Sequence, residues 1–161
     1  MYYLDSSAIA KRYRTEKGSE VVSALFAHLE NEELAITSQF ASVEVEALAA
    51  RALKARLLNR RSYGVMLRLF AGDLERSVLT IPVSSSLVSD AAQIARSLAV
   101  RAGDAIHLAT AVRVQQIIAL KVILVASDRE LLLAAESVGF TTFNPESQDA
   151  LIVLESLREN S

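Results

Sequence analysis

The chain has no cysteine among its 161 residues, which excludes both a disulfide framework and a thiolate zinc site. It has two histidines, few for an imidazole-based metal centre, so any metal here would be held by oxygen ligands, a set that suits Mg²⁺ or Mn²⁺. Prolines number two, Pro82 and Pro145, and there is no repeat, low-complexity stretch or Pro/Gly-rich linker, so the whole span 1–161 reads as one domain. No apolar run approaches the roughly 20 residues of a membrane span, and the start MYYLDSS shows neither a basic nor an apolar leader. A soluble, cytoplasmic protein is expected. A basic excess is also missing: the formal net charge is −2. That weighs mildly against a nucleic-acid binder unless the basic residues are grouped. Two groups exist, Lys11, Arg12 and Arg14, and Arg51, Lys54, Arg56, Arg60, Arg61 and Arg68.

What the chain does have is 52% hydrophobic residues arranged in short alternating elements. Strands are expected at Tyr2 to Leu4, Leu34 to Thr37, Val78 to Val83, Lys121 to Ala126 and Phe140 to Phe143. Between them lie helical stretches from Ala8, after Gly18, from Ser38 to about Leu58, from Arg61 to Leu74, after the Ser84-Ser85-Ser86 run, and after Gly103. Ser127 and Glu130 read as a capping box, S-x-x-E, opening the helix that Gly139 ends. Strands alternating with helices imply a parallel sheet covered on both faces, with ligands beyond the carboxyl ends of the strands.

Four carboxylates fall at the junctions of these elements. Asp5 closes the first strand in YLDSSAIAKRY, where it is either a helix cap or, since Ser6 and Ser7 can cap equally well, free for another role. Asp128 follows the VILVA strand, as the first helical residue after Ser127. Asp104 lies in RAGDAIHLATA, one turn into an apolar helix, where a bare carboxylate is costly and a cation would satisfy it. His107, one turn on, reads as a core residue or a support behind the ligands. Glu44 in SQFASVEVEALAA is flanked one turn either way by Phe40 and Leu48. Glu46 faces another side of that helix, but spacing leaves it open as a contributor.

The segments YLDSSAIAKRY, TSQFASVEVEALAA, LAVRAGDAIHLATA and VASDRELLLAAESVGFTTFNP together resemble the four acidic motifs of PIN-domain ribonucleases, and most of all the VapC-type toxins of toxin–antitoxin pairs. The resemblance spans nearly the whole chain, in order and spacing. It implies a three-layer α/β/α fold around a central, mostly parallel sheet of short strands. It implies Asp5, Asp104 and Asp128 in contact with one or two Mg²⁺ or Mn²⁺ ions, and Glu44, favoured over Glu46, as a ligand directly or through water. Ser7 and Ser127 match the family's hydroxyl residues beside the first and last acids. The implied activity is metal-dependent cleavage of RNA phosphodiester bonds. The implied partners are an antitoxin and a second copy of the chain, and the apolar face of Leu57, Leu58, Met66, Leu69 and Phe70 is a candidate groove, dimer contact or plain core. Replacing Asp5 with Asn is then expected to abolish cleavage and to raise thermal stability without metal. The competing readings are a haloacid-dehalogenase-like phosphatase, a receiver domain and a non-catalytic binding module. The phosphatase needs an acid two residues after Asp5, where Ser7 stands.

Overall fold

The computed structural model describes residues 1–29, 34–118 and 120–159. Five strands form one sheet: β1 (Tyr2–Leu4), β2 (Ala35–Ser38), β3 (Val78–Ile81), β4 (Ile123–Val125) and β5 (Thr141–Phe143), in the order β3-β2-β1-β4-β5. Every adjacent pair is parallel. The helices are α1 (Ser6–Lys11), α2 (Ser19–Leu29), α3 (Phe40–Lys54), α4 (Arg60–Arg76), α5 (Ser85–Leu98), α6 (Ala102–Ile118), α7 (Arg129–Ser137) and α8 (Ala150–Glu159).

Strand alternation divides the core into two layers. Tyr2, Leu4, Ile123 and Val125 face a cluster that includes Ile9, Phe26, Val45, Phe70 and Leu154, from α1 to α4 and α8. Tyr3 and Leu124 point the other way, onto Leu108, Leu131 and Ala135 of α6 and α7, with Ile94 of α5 packed alongside. Side chains of successive strand residues leave on opposite faces, so three-residue strands suffice to seed both layers. This is the α/β/α sandwich expected from the motif pattern. Among the described residues no helix is long and apolar enough to cross a membrane.

Several boundaries differ from the sequence expectation. Strand β3 stops at Ile81 because Pro82 cannot donate to the ladder. Helix α3 ends at Lys54 instead of near Leu58; Arg56 turns to φ 59°, and Asn59 caps α4 by accepting from the Ser62 amide at 2.8 Å. Gly103 is inside the first turn of α6, not before it. Helix α8, after Asn144-Pro145, had no counterpart in the sequence reading. The apolar face of Leu57, Leu58, Met66, Leu69 and Phe70 divides: Met66 and Phe70 are core, Leu58 packs partly buried against it, and Leu57 and Leu69 are exposed.

The chain leaves β1 for β2 and β3 on one side, then crosses to β4 and β5 on the other. The order therefore reverses between β1 and β4, and a crevice opens where their following loops part. Asp5 follows β1 and Asp128 closes the loop after β4.

Candidate active site at the β1–β4 switch point

The two loops at the switch point are tied together by backbone and hydroxyl groups. The Asp5 amide donates to the Val125 carbonyl at 3.0 Å, and the Ser127 amide donates to Ser7 Oγ at 3.0 Å. Thr37 Oγ1, fully buried, donates to the Leu4 carbonyl at 2.7 Å and holds the end of β1 from its other neighbour. Asp5 is 4% exposed and caps α1, its Oδ2 accepting from the Ser7 amide at 3.0 Å. Capping does not exclude a second role, because Oδ1 remains and lies 3.4 Å from His107 Nε2.

His107 joins the first strand to α3. Its ring is wholly buried, Nδ1 meets the Tyr3 hydroxyl at 2.9 Å, and Nε2–H donates to Glu44 Oε2 at 2.7 Å. Burial would pull this imidazole's pKa down, but Asp5, Glu44 and Asp104 outweigh it and raise it above its ordinary value. Burial likewise pushes Glu44 up, and the His107 contact with help from Ser6 brings it below the ordinary range. Glu44 reaches this position because α6 comes close at Gly103: a Cβ there would stand 2.8 Å from Glu44 Oε1 and 3.4 Å from the Phe40 ring. Glu46 is exposed on α3 and stands in neither group of converging ligand atoms.

On the other side of the crevice the donors are all carboxylates. Asp128, not Ser127, caps α7: its Oδ1 accepts from the amides of Glu130 at 2.8 Å and Leu131 at 3.2 Å. The capping box expected from Ser127 and Glu130 does not form. Two residues competed for one cap, and the aspartate took both amides. Ser127 Oγ is buried outside hydrogen-bond geometry, near enough to Glu146 to depress that acid slightly, after the larger effect of Lys11. Glu130 points instead toward Arg101, which lies 3.8 Å from Asp128 and from Glu130 and is 73% exposed. Asp104, in the first turn of α6, has a buried Oδ2 with no hydrogen-bond partner. Burial, then the charges of Asp128 and Asp5, push its carboxyl up to about 6 against the opposing pull of Arg101 and His107.

Thus the four sequence-selected acids meet at one edge of the sheet, but as two sets. Ligand atoms of Asp5, Glu44 and His107 lie within 4.8 Å of one another, and so do those of Asp104, Asp128 and Glu130. The repulsion of Asp104 by Asp5 couples the two. Sequence reasoning passed over Glu130, Arg101 and Gly103. Only Glu130 left a trace, as the fourth residue of S-x-x-E; nothing local marks the others. An oxygen-rich set with one buried, partnerless carboxylate oxygen fits a hard divalent cation.

The PIN domain profile matches residues 2–136. Ribonuclease VapC45 of Mycobacterium tuberculosis (strain CDC 1551 / Oshkosh) is 31% identical over 114 residues, covering 71% of this chain and 76% of the relative. Among solved structures, VapBC2 from Rickettsia felis, bound to a DNA fragment from their promoter, superposes with a TM-score of 0.63 at 11% identity, covering 89% of this chain and 97% of that one. The VapC20 toxin of M. tuberculosis, described as cleaving the sarcin-ricin loop, superposes with a TM-score of 0.60 at 17% identity, covering 88% and 97%. Both structural likenesses speak for the fold.

Proposed function

The chain belongs to the PIN-domain family, and from that premise we propose that it is a ribonuclease, cutting RNA phosphodiester bonds with a divalent cation, Mg²⁺ or Mn²⁺. The observation that carries the reading is the buried, unpartnered Oδ2 of Asp104, beside Asp128 and within reach of Asp5's charge. Asp5, Asp104 and Asp128 would hold the ion, with Glu44 alongside. A divalent cation there supplies a Lewis acid for the phosphoryl group and eases ionisation of the attacking water. The protein's part is preorganisation. Two amides of α7 clamp Asp128, the Ser7 amide and His107 orient Asp5, and His107 fixes Glu44. Ser7 and Ser127 lock the two ligand-bearing loops to each other. The phosphatase alternative lacks its general acid, since the hydroxyl of Ser7 accepts from the Ser127 amide.

The family names extend the reading to partners. A ribonuclease of the VapC kind implies an antitoxin that silences it in the cytoplasm, and a homodimer of a domain spanning 1–161. The deciding experiment incubates the purified chain with total RNA in Mn²⁺, Mg²⁺ or EDTA and maps new 5′ ends, beside Asp104→Asn. Cleavage in Mn²⁺ or Mg²⁺ that EDTA and Asp104→Asn both abolish is the expected result. Equal cleavage in EDTA would remove the cation from the reading, and no cleavage under any condition would remove the nuclease.

A further inference from the structure

The two basic groups in the sequence meet opposite fates in the fold. Lys11 is 5% exposed and bonds Glu146 at 2.5 Å, with Glu16 at 3.5 Å; Arg12 faces Asp73 and lies over the Phe26 ring; Arg14 faces Glu16. That group is tied up in ion pairs with the protein's own acids. Arg51, Lys54, Arg56, Arg60, Arg61 and Arg68 are all exposed, and none takes part in the ion pairs found among the described residues. They run from the last turns of α3 through the turn into α4, and no acid occurs between residues 47 and 72. A surface cation is normally interspersed with acids; here six stand together in a chain whose net charge is −2.

Helix stability does not account for them. Arg51 and Lys54 suit the C-terminal end of α3, but Arg60 and Arg61 open α4, where the helix dipole disfavours positive charge. Arg56 occupies a left-handed backbone position at φ 59°, where glycine or asparagine would be easier. The strip also connects with the acids. A groove lined by Ser6, Ser7, Phe40, Glu44, Leu48 and Arg51 includes one of the four acids, Glu44, and runs along α3. Arg51 is seven residues beyond Glu44, on the same helix face and about 10 Å further on. Between them the groove offers apolar surface, including Val43, which is 62% exposed. Apolar lining for unpaired bases beside partnerless cations for phosphates is the chemistry of a single-stranded nucleic-acid track.

We propose that Arg51, Lys54, Arg56, Arg60, Arg61 and Arg68 form the track that holds the backbone of single-stranded RNA flanking the bond at the carboxylates. The proposal rests on the ribonuclease reading for the identity of the polymer. The strand leaves the acids along α3, and the α3–α4 turn carries its phosphates away from them. The strip puts six exposed cations in a stretch without an acid, and such local excess is how a chain of net negative charge attracts a polyanion.

The test is direct binding of a fluorescein-labelled 20-nucleotide single-stranded RNA of mixed sequence, in EDTA, across a salt series. The variants are the triple Arg51→Ala/Lys54→Ala/Arg60→Ala and the control double Arg96→Ala/Lys121→Ala. The control removes exposed cations that lie outside the strip: Lys121 precedes β4, and Arg96 is in the last turn of α5. The expected result is a triple that binds at least about tenfold more weakly near 50 mM salt, with the slope of log K against log salt reduced by about 2. The control is expected to match wild type. Melting temperatures within about 2 °C of wild type would show that all variants fold. A triple that matches wild type at every salt overturns the proposal and leaves the strip a solvated face or a seat for an acidic protein. An equal loss in the control overturns it too, because the attraction then belongs to overall charge. The same RNA in Mn²⁺ tests cleavage separately: salt-dependent binding through the strip without cleavage supports the track and removes the nuclease reading.

Discussion

On one side of the switch point Asp5 and Glu44 face a buried histidine; on the other, Asp128 and Glu130, with Asp104 beside them, face Arg101, at 3.8 Å from the first two and largely in solvent. The first set supplies its own partner. His107 is raised above its ordinary value by these acids, and it lowers Glu44 in return. The second set does not, and Asp104 is driven up to about 6 with a buried oxygen unmet. A carboxylate already hydrogen-bonded to a buried imidazole gains less from a cation than one that is not. On the proposed reading, the half built of acids alone is where an ion would add most, and the half built around His107 is where geometry would be held before it arrives.

The largest break in that contrast is Asp104→Asn. It is expected to lower cleavage by about a hundredfold or more, since removing even a supporting partner of a metal ligand costs 10–100-fold. At pH 8 in EDTA the same variant should melt about 2–4 °C higher, after discounting the repulsion for a half-exposed group. The relief anticipated from sequence for Asp5→Asn moves to Asp104, because Asp5 is already satisfied by the Ser7 amide and His107. Asp5→Asn should abolish cleavage with no gain in melting temperature. If Asp5→Asn stabilised and Asp104→Asn did not, the contrast between the halves would be reversed.

His107→Ala attacks the other half. It strips Glu44 of its partner, leaves the Tyr3 hydroxyl short of one contact and opens a cavity, so a stability loss of about 3 kcal/mol is expected in chemical denaturation. Cleavage should drop about 10–100-fold. Unchanged stability would mean that the buried imidazole contributes no net pairing. A gentler probe is Gly103→Ala. Its Cβ would meet the mobile end of Glu44 at 2.8 Å, so the fold should stand within about 1 kcal/mol while cleavage falls about tenfold. Full activity would show that Glu44's position is not set by α6.

Titration sharpens the comparison most finely. Asp104's carboxyl is raised from 3.8 to about 6 on folding, so its contribution to stability is full below about pH 4 and lost as pH rises through 6. His107 is raised above 6.5, so its contribution is full below that and lost as pH climbs through the raised value. Both act in one direction. The melting temperature in EDTA should fall from pH 5 to pH 8, and Asp104→Asn should flatten the lower part of that fall. A melting temperature that rises over this window would contradict both assignments.

Much of this was legible in the chain. Hydrophobic runs located all five strands, and the rule that ligands gather at the carboxyl ends of parallel strands singled out Asp5 and Asp128. Asp104 stood out as an acid in an apolar helix, and that anomaly proved to be the partnerless one. The misread cap has a local cause: Ser127 and Asp128 are both good caps, and only the approach of the α7 amides decides between them. Nothing near His107 announces that Glu44, 63 residues away, is its partner, and nothing near Gly103 announces the carboxylate it makes room for.

Residue type and period, which act over a few positions, by themselves determined the alternating elements, the absence of any thiolate ligand and the presence of two basic groups. The crossing of the chain from β3 to β4 decided the rest. It brought two acidic loops together, buried one histidine between strand and helix, tied up one basic group in ion pairs and left the other bare. Those outcomes depend on which distant surfaces are pressed together, and packing of that kind is set by the whole fold.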